Sequence, residues 1–193
     1  MSAQALVCAR PTPDSSVIFP TLANANFADC YETPDPQPQA SALQTWLDLV
    51  RQTPRWINHL MALRNRIVLL AGLKVGHLGD LAHCDASRYR CGDRVGIFEL
   101  RHDSEREVVL GQDDRHLNVQ LSLLKHQRDG DGDGDGRAVL CLSTVVHVHN
   151  AMGHAYMAVV TPFHRRIARA MLARAALLAP SSQKSSQQAH GPG

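Results

Sequence analysis

His147 and His149 stand two apart in a run of β-branched residues, so an extended chain there puts both imidazoles on one face, and His116, His154 and His164 come from neighbouring segments. Neutral imidazoles are good zinc ligands, and three that converge suffice for a catalytic centre. Neither an HExxH pair nor a CxxC supports that chemistry, and His83, Cys84 and Cys91 are weaker ligands still, so no metal ligand and no cofactor is assigned. The run Asp113, Asp114, Arg115, His116 has two readings. Adjacent aspartates between strands form turns, and an Asp that orients a His is half of a general-base arrangement. A nucleophile of the GxSxG type is absent, so no catalytic residue is assigned. The second polar group is His149, Asn150, Tyr156 and His164, with Arg165 and Arg166 beside it. Free amides at a helix N-terminus next to these side chains suit a carboxylate or an oxyanion, whereas in the alternative reading the same residues hydrogen-bond only inside the fold. The candidate ligand-binding set is therefore His149, Asn150, Tyr156 and His164, followed by Asp114, Arg115 and His116. The run RDGDGDGDGR begins like an EF-hand loop but has Leu140 where a bidentate glutamate is needed, and it reads as an acidic hairpin loop.

These residues need elements to position them. A short strand is expected over 27–32, followed by TPDPQPQ, which bars helix and sheet alike until Ser41. Ser41 and Gln44 have capping-box spacing, and Leu43, Trp46, Leu47 and Val50 fall on one helical face. Thr53 and Pro54 open a second helix that runs to Gly72. The period then becomes strand-like over 95–101, 107–111, 116–126, 138–149 and 155–160, with short joints suited to antiparallel neighbours. Thr161 and Pro162 repeat the helix-start signal ahead of Phe163, Ile167, Met171 and Leu178. An antiparallel meander needs a cover for its apolar face, and the final helix is the long element left to supply it. The expected fold class is α+β, about six antiparallel strands gripped by a long C-terminal helix. Trp46 and Trp56 read as core residues or as the rim of a cavity lined by Leu117, Val119, Leu121 and Met171. Residues 1–25 are expected to be a mobile lead-in, 26–179 a single domain, and 180–193 a disordered Ser/Gln tail.

The chain has 193 residues, 44% hydrophobic and 20% charged, with a formal net charge of +2. That composition excludes a disordered chain and a disulfide-stapled miniprotein, and no apolar run is long enough to span a membrane. Five scattered cysteines and a start without a basic leader point to a cytoplasmic protein. Four Phe, two Trp and three Tyr, with no basic motif, disfavour nucleic acid. After Asp135 the chain carries only basic charges, an excess that a solvated helix face accounts for.

The runs YRCGDRVGIFEL, GQDDRHLNVQLSLL and STVVHVHNAMGHAYMAVVTPFHRRIARAML, with PRWINHLMALRNRIVLLAGL, resemble the bacterial family known as domain of unknown function 2867. The resemblance covers roughly 26–179. Members of that family are in turn similar to the helix-grip fold of START-like and polyketide-cyclase-like (SRPBCC) proteins. It implies a curved antiparallel sheet, two small helices at one end and a long helix closing over an apolar cavity. It carries no catalytic residue across, since the fold serves carriers, cyclases and proteins with no known ligand. The expected function is binding of a small, largely apolar molecule with a polar end, with lyase- or cyclase-like chemistry left open. The alternatives are a non-enzymatic interaction domain with a filled core and a histidine-centred metal hydrolase.

Overall fold

The protein is described from a computed structural model, which covers residues 7–53, 56, 85–128 and 137–178. Seven antiparallel strands form one open sheet in the order β1-β2-β7-β6-β5-β4-β3. They are β1 (Cys8–Ala9), β2 (Phe27–Pro34), β3 (Arg94–Val95), β4 (Phe98–Asp103), β5 (Glu107–Asp113), β6 (Leu117–Arg128) and β7 (Arg137–Val148). Among the described residues two long elements are α-helical, α1 (Ala42–Arg51) and α2 (Ala151–Leu178). This is the expected α+β, helix-gripped sheet. No helix among the described residues is long and apolar enough to cross a membrane.

Helix α1 begins where its sequence says it should. The Ser41 hydroxyl accepts a hydrogen bond from the Gln44 amide at 3.2 Å, which satisfies one of the free donors of the first turn. The reciprocal half of the box is absent, because the Gln44 side chain instead donates to Asp48 and accepts from the Ala86 amide. The buried face of α1, with Leu43, Trp46, Leu47 and Val50, joins Leu121, Leu123, Leu140 and Leu142 from the sheet and Ala168, Met171, Leu172 and Ala175 from α2 in one core. Alternation along β6 and β7 directs one set of side chains to that core and the other to the opposite face. The opposite face is also covered. Ile18 packs on Val109 and Val145, and the buried Glu107 carboxylate accepts from the hydroxyls of Ser16 and Ser122, each at 2.6 Å, and from the Val17 amide. Within the 1–25 segment, residues 7–25 contribute strand β1 and a strap across the sheet.

At the other end of the meander, Lys125 is buried against Asp35 at 3.4 Å and donates to the carbonyls of Gln37 and Ala40. It fastens the proline-rich connection ahead of α1. Three expectations need correction. The strand at 95–101 is split by Gly96, whose φ of 65° turns β3 back onto β4. Residues 155–160 are not a strand, and Thr161 and Pro162 do not start a helix: all lie inside α2, which begins at Ala151. Asn150 supplies the start signal, since its side chain accepts from the Gly153 amide at 3.2 Å. Pro162 removes one amide in mid-helix, and the Thr161 hydroxyl donates to the Met157 carbonyl at 2.7 Å in that same stretch. Trp46 is buried as expected, but Trp56 is 42% exposed. The rest of the helix expected over 53–72, the Asp-Gly loop at 129–136 and the tail at 180–193 lie outside the described residues.

Candidate functional site

The turn between β5 and β6 and the start of α2 meet in a polar knot. Asp114 accepts from the backbone amides of His116 and Leu117 at 2.7 and 3.0 Å, closing the turn. It does not touch the His116 ring, so the Asp–His pairing that a general base would need is not formed. Arg115 Nε donates to His116 Nε2 at 2.7 Å. An accepting Nε2 leaves the proton of the neutral ring on Nδ1, which meets Asn150 Oδ1 at 3.0 Å. The Asn150 amide nitrogen in turn donates to the Arg115 carbonyl at 2.8 Å. His149 joins through its backbone, whose amide donates to the His116 carbonyl at 2.8 Å, while its side chain is exposed. A Cβ on Gly153 would lie 2.4 Å from the His116 carbonyl oxygen, so glycine is required for this approach. The structure thus brings Asp114, Arg115, His116 and Asn150 together, and their polar atoms serve the turn and the helix cap.

His164 lies elsewhere, on the side of α2 that faces β2 and β7. Its Nε2 is 3.1 Å from the Thr144 hydroxyl and 3.3 Å from Asp29 Oδ1. Both partners use the same nitrogen, so the ring cannot pass a proton between them as the histidine of a catalytic triad does. Its edge stands against Phe27, with ring centroids 5.7 Å apart at 88°. Arg165 caps the same phenyl ring at 5.5 Å, and Arg169 covers Tyr31 at 5.0 Å. Burial pushes the Tyr31 phenol up from its ordinary value and the Asp29 charge adds to this, against the pull of Arg169. Asp29 Oδ2 is buried with no hydrogen-bond partner among the described residues. His147 Nε2 points to the Ala23 carbonyl at 3.3 Å, so three of the five histidines weighed as a zinc set, His116, His147 and His164, are each held by different neighbours, while the His149 and His154 side chains are exposed.

Beside His164 an open groove of about 420 Å³ runs between β2 and the first half of α2. Phe27, Val148, Met157, Ala158 and Pro162 form its apolar walls, and Asn26, His154 and Thr161 are its polar members. Asn26 Oδ1 is taken by the Val148 amide at 2.6 Å and the Thr161 hydroxyl by its own helix. The exposed His154 ring makes no hydrogen bond among the described residues. Leu121 and Met171, expected to line a cavity, are buried in the core, and Val119 packs against it.

A family model described as "protein of unknown function (DUF2867)" matches residues 21–171. The chain belongs to this family. No curated protein and no solved structure matches it. The family match spans β2 through most of α2 and includes every residue of the knot, the His164 contact and the groove. In this DUF2867 domain the residues that sequence reading missed are Asn26, Phe27, Asp29 and Thr144. Asn26 immediately precedes β2, and the other three sit on two strands far apart in sequence that pair directly, Phe27 opposite Val146 and Asp29 opposite Thr144. No local spacing announces that pairing. Tyr156 is half-buried on α2, two turns before His164.

Proposed function

We propose that this DUF2867 domain binds a small amphipathic molecule in the groove between β2 and the first half of α2. The observation that carries the reading is an apolar trough floored by Phe27, Met157, Ala158 and Pro162 with one uncommitted imidazole, His154, at its side. Pockets that hold small molecules combine apolar walls with a few polar groups that fix orientation. The apolar body of the ligand lies on Phe27 and Met157, and its polar end meets His154 and the amide nitrogen of Asn26. Of the residues singled out from sequence, His164 supports the groove through its edge-on contact with Phe27, and Tyr156 lies on the same helix. His149, Asn150, Asp114, Arg115 and His116 act behind it by fixing where α2 begins. Binding does not require chemistry, and no nucleophile or acid–base pair is assigned.

Native mass spectrometry of the freshly purified protein, compared with its denatured mass, tests the reading. An added organic mass that disappears on denaturation, and is absent from an Ala158→Trp variant that fills the trough, supports it. Adduct-free protein, or an adduct that survives Ala158→Trp, overturns it. A second reading, an interaction domain with a filled core, is favoured by one observation. Met152, Val159 and Phe163 are 51%, 52% and 44% exposed and fall on one face of α2 at helical spacing. A native mass at a multiple of the chain, returned to the monomer by Val159→Asp, supports that reading.

A further inference from the structure

On the face of the sheet away from the helices, three side chains from three adjacent strands converge. Glu32 of β2 lies directly opposite Cys141 of β7, and His126 of β6 lies two pairs along on the same face, opposite Val139. Cys141 Sγ is 3.3 Å from His126 Nε2 and 3.8 Å from Glu32 Oε2, and these last two atoms are 4.0 Å apart. Around a tetrahedral zinc ion, sulfur, nitrogen and oxygen ligands at ordinary bond lengths stand about 3.4–3.6 Å from one another. The two distances from sulfur depart from that by about 0.3 Å or less, and the His126–Glu32 distance is longer by about 0.6 Å. We propose that Cys141, His126 and Glu32 form a divalent-metal site, with zinc as the ion that the mixed sulfur, nitrogen and oxygen donor set favours.

Two of the three ligands have a neighbour that orients the donor atom. The other ring nitrogen of His126, Nδ1, meets the Gln127 carbonyl at 3.1 Å. A carbonyl can only accept, so Nδ1 carries the proton and Nε2 presents its lone pair to the other two donors. The other carboxylate oxygen of Glu32, Oε1, is held by Arg128 at 2.7 Å, which turns Oε2 inward. Cys141 is 1% exposed, and the side chains of Glu32 and His126 are 12% and 28% exposed, so an ion can enter past His126 onto an otherwise enclosed set. A thiolate and a carboxylate neutralise a dication, and the charge left over is that of the partly exposed Arg128. Backbone pairing, not a loop, places all three donors, so the site is fixed before metal arrives.

Titration of the reduced full-length protein with Co²⁺ alone tests the assignment. One equivalent is expected to give a thiolate-to-cobalt charge-transfer band and the intense visible bands of tetrahedral cobalt, both removed by Zn²⁺. His126→Gln, at a partly exposed position, and Cys141→Ser, nearly isosteric, should each weaken binding about hundredfold or more while the far-ultraviolet circular dichroism stays unchanged. Absence of a thiolate band overturns the site. So does a band that persists in both variants but is lost on replacing the exposed Cys8 or Cys91, which would mark thiol binding elsewhere.

Discussion

Replacing Asn150 by alanine separates a structural knot from a ligand site. In the structure its side chain accepts from Gly153 as the cap of α2, accepts from the His116 ring, and donates to the Arg115 carbonyl. Loss of a helix cap costs about 1 kcal/mol. The deletion also strands the Nδ1 proton of His116, a residue only 9% exposed, which adds about another 1 kcal/mol. The sum of about 2 kcal/mol corresponds to a melting temperature lower by about 4–8 °C for a chain of this size. Asn150→Asp keeps the acceptor and places a negative charge at the positive end of the helix, but sets a carboxylate oxygen against the Arg115 carbonyl where the amide donated, so it should lose about 1 kcal/mol, less than the alanine variant. His149→Ala serves as the internal control. That side chain is exposed, and the change should stay within about 0.5 kcal/mol. Thermal and urea melts followed by circular dichroism measure all three. An Asn150→Ala protein that melts within about 1 °C of the parent would refute the reasoning, because a ligand-facing asparagine contributes little to folding.

Other expectations follow from the same structure. Gly153→Ala should destabilise by about 1–3 kcal/mol, since the new methyl group would lie 2.4 Å from the His116 carbonyl oxygen and 2.7 Å from Val148 Cγ1; equilibrium denaturation reports it. Lys125→Met should cost about 3–5 kcal/mol by leaving the Asp35 carboxylate, 2% exposed, without its cation. Asp35→Asn in the same chain should recover part of that loss in a double-mutant cycle, and no recovery would deny the coupling. Tyr31 should ionise above the ordinary phenol value in an ultraviolet alkaline titration, because burial favours its neutral form. Its contribution to stability is then fully present below about pH 10 and is lost as pH rises through the folded value, and Tyr31→Phe should remove that part of the alkaline decline.

The groove and the proposed metal site lie on different parts of the molecule, so they can be tested independently. Ala158→Trp fills a trough bounded by β2 and α2. His126→Gln alters donors on β6, on the face opposite the core. An effect of one substitution on the other ligand would show coupling through β2, which carries both Phe27 and Glu32.

The sequence by itself determined the α+β class, the strand at Phe27, the start of α1 at Ser41, the three long strands of the meander and the family. Each depends on signals that act within a few residues: a cap, a proline pair, an alternation of apolar and polar side chains. It misplaced the start of α2 for a physical reason. Thr-Pro is a strong local signal for a first helical turn, but a helix already capped by Asn150 and held on the sheet through Ala168, Met171 and Leu172 tolerates one missing amide. Packing outweighed propensity there. What only the tertiary structure decided is which polar residues share a site. His116 and His164 look alike in sequence, yet one is tied into a helix cap and the other rests between Asp29 and Thr144. Glu32, His126 and Cys141 drew no notice, because 94 residues separate the first from the second. The register of β2 on β7 and of β7 on β6 brings them within reach, and a shift of one residue in either pairing would send a donor to the opposite face.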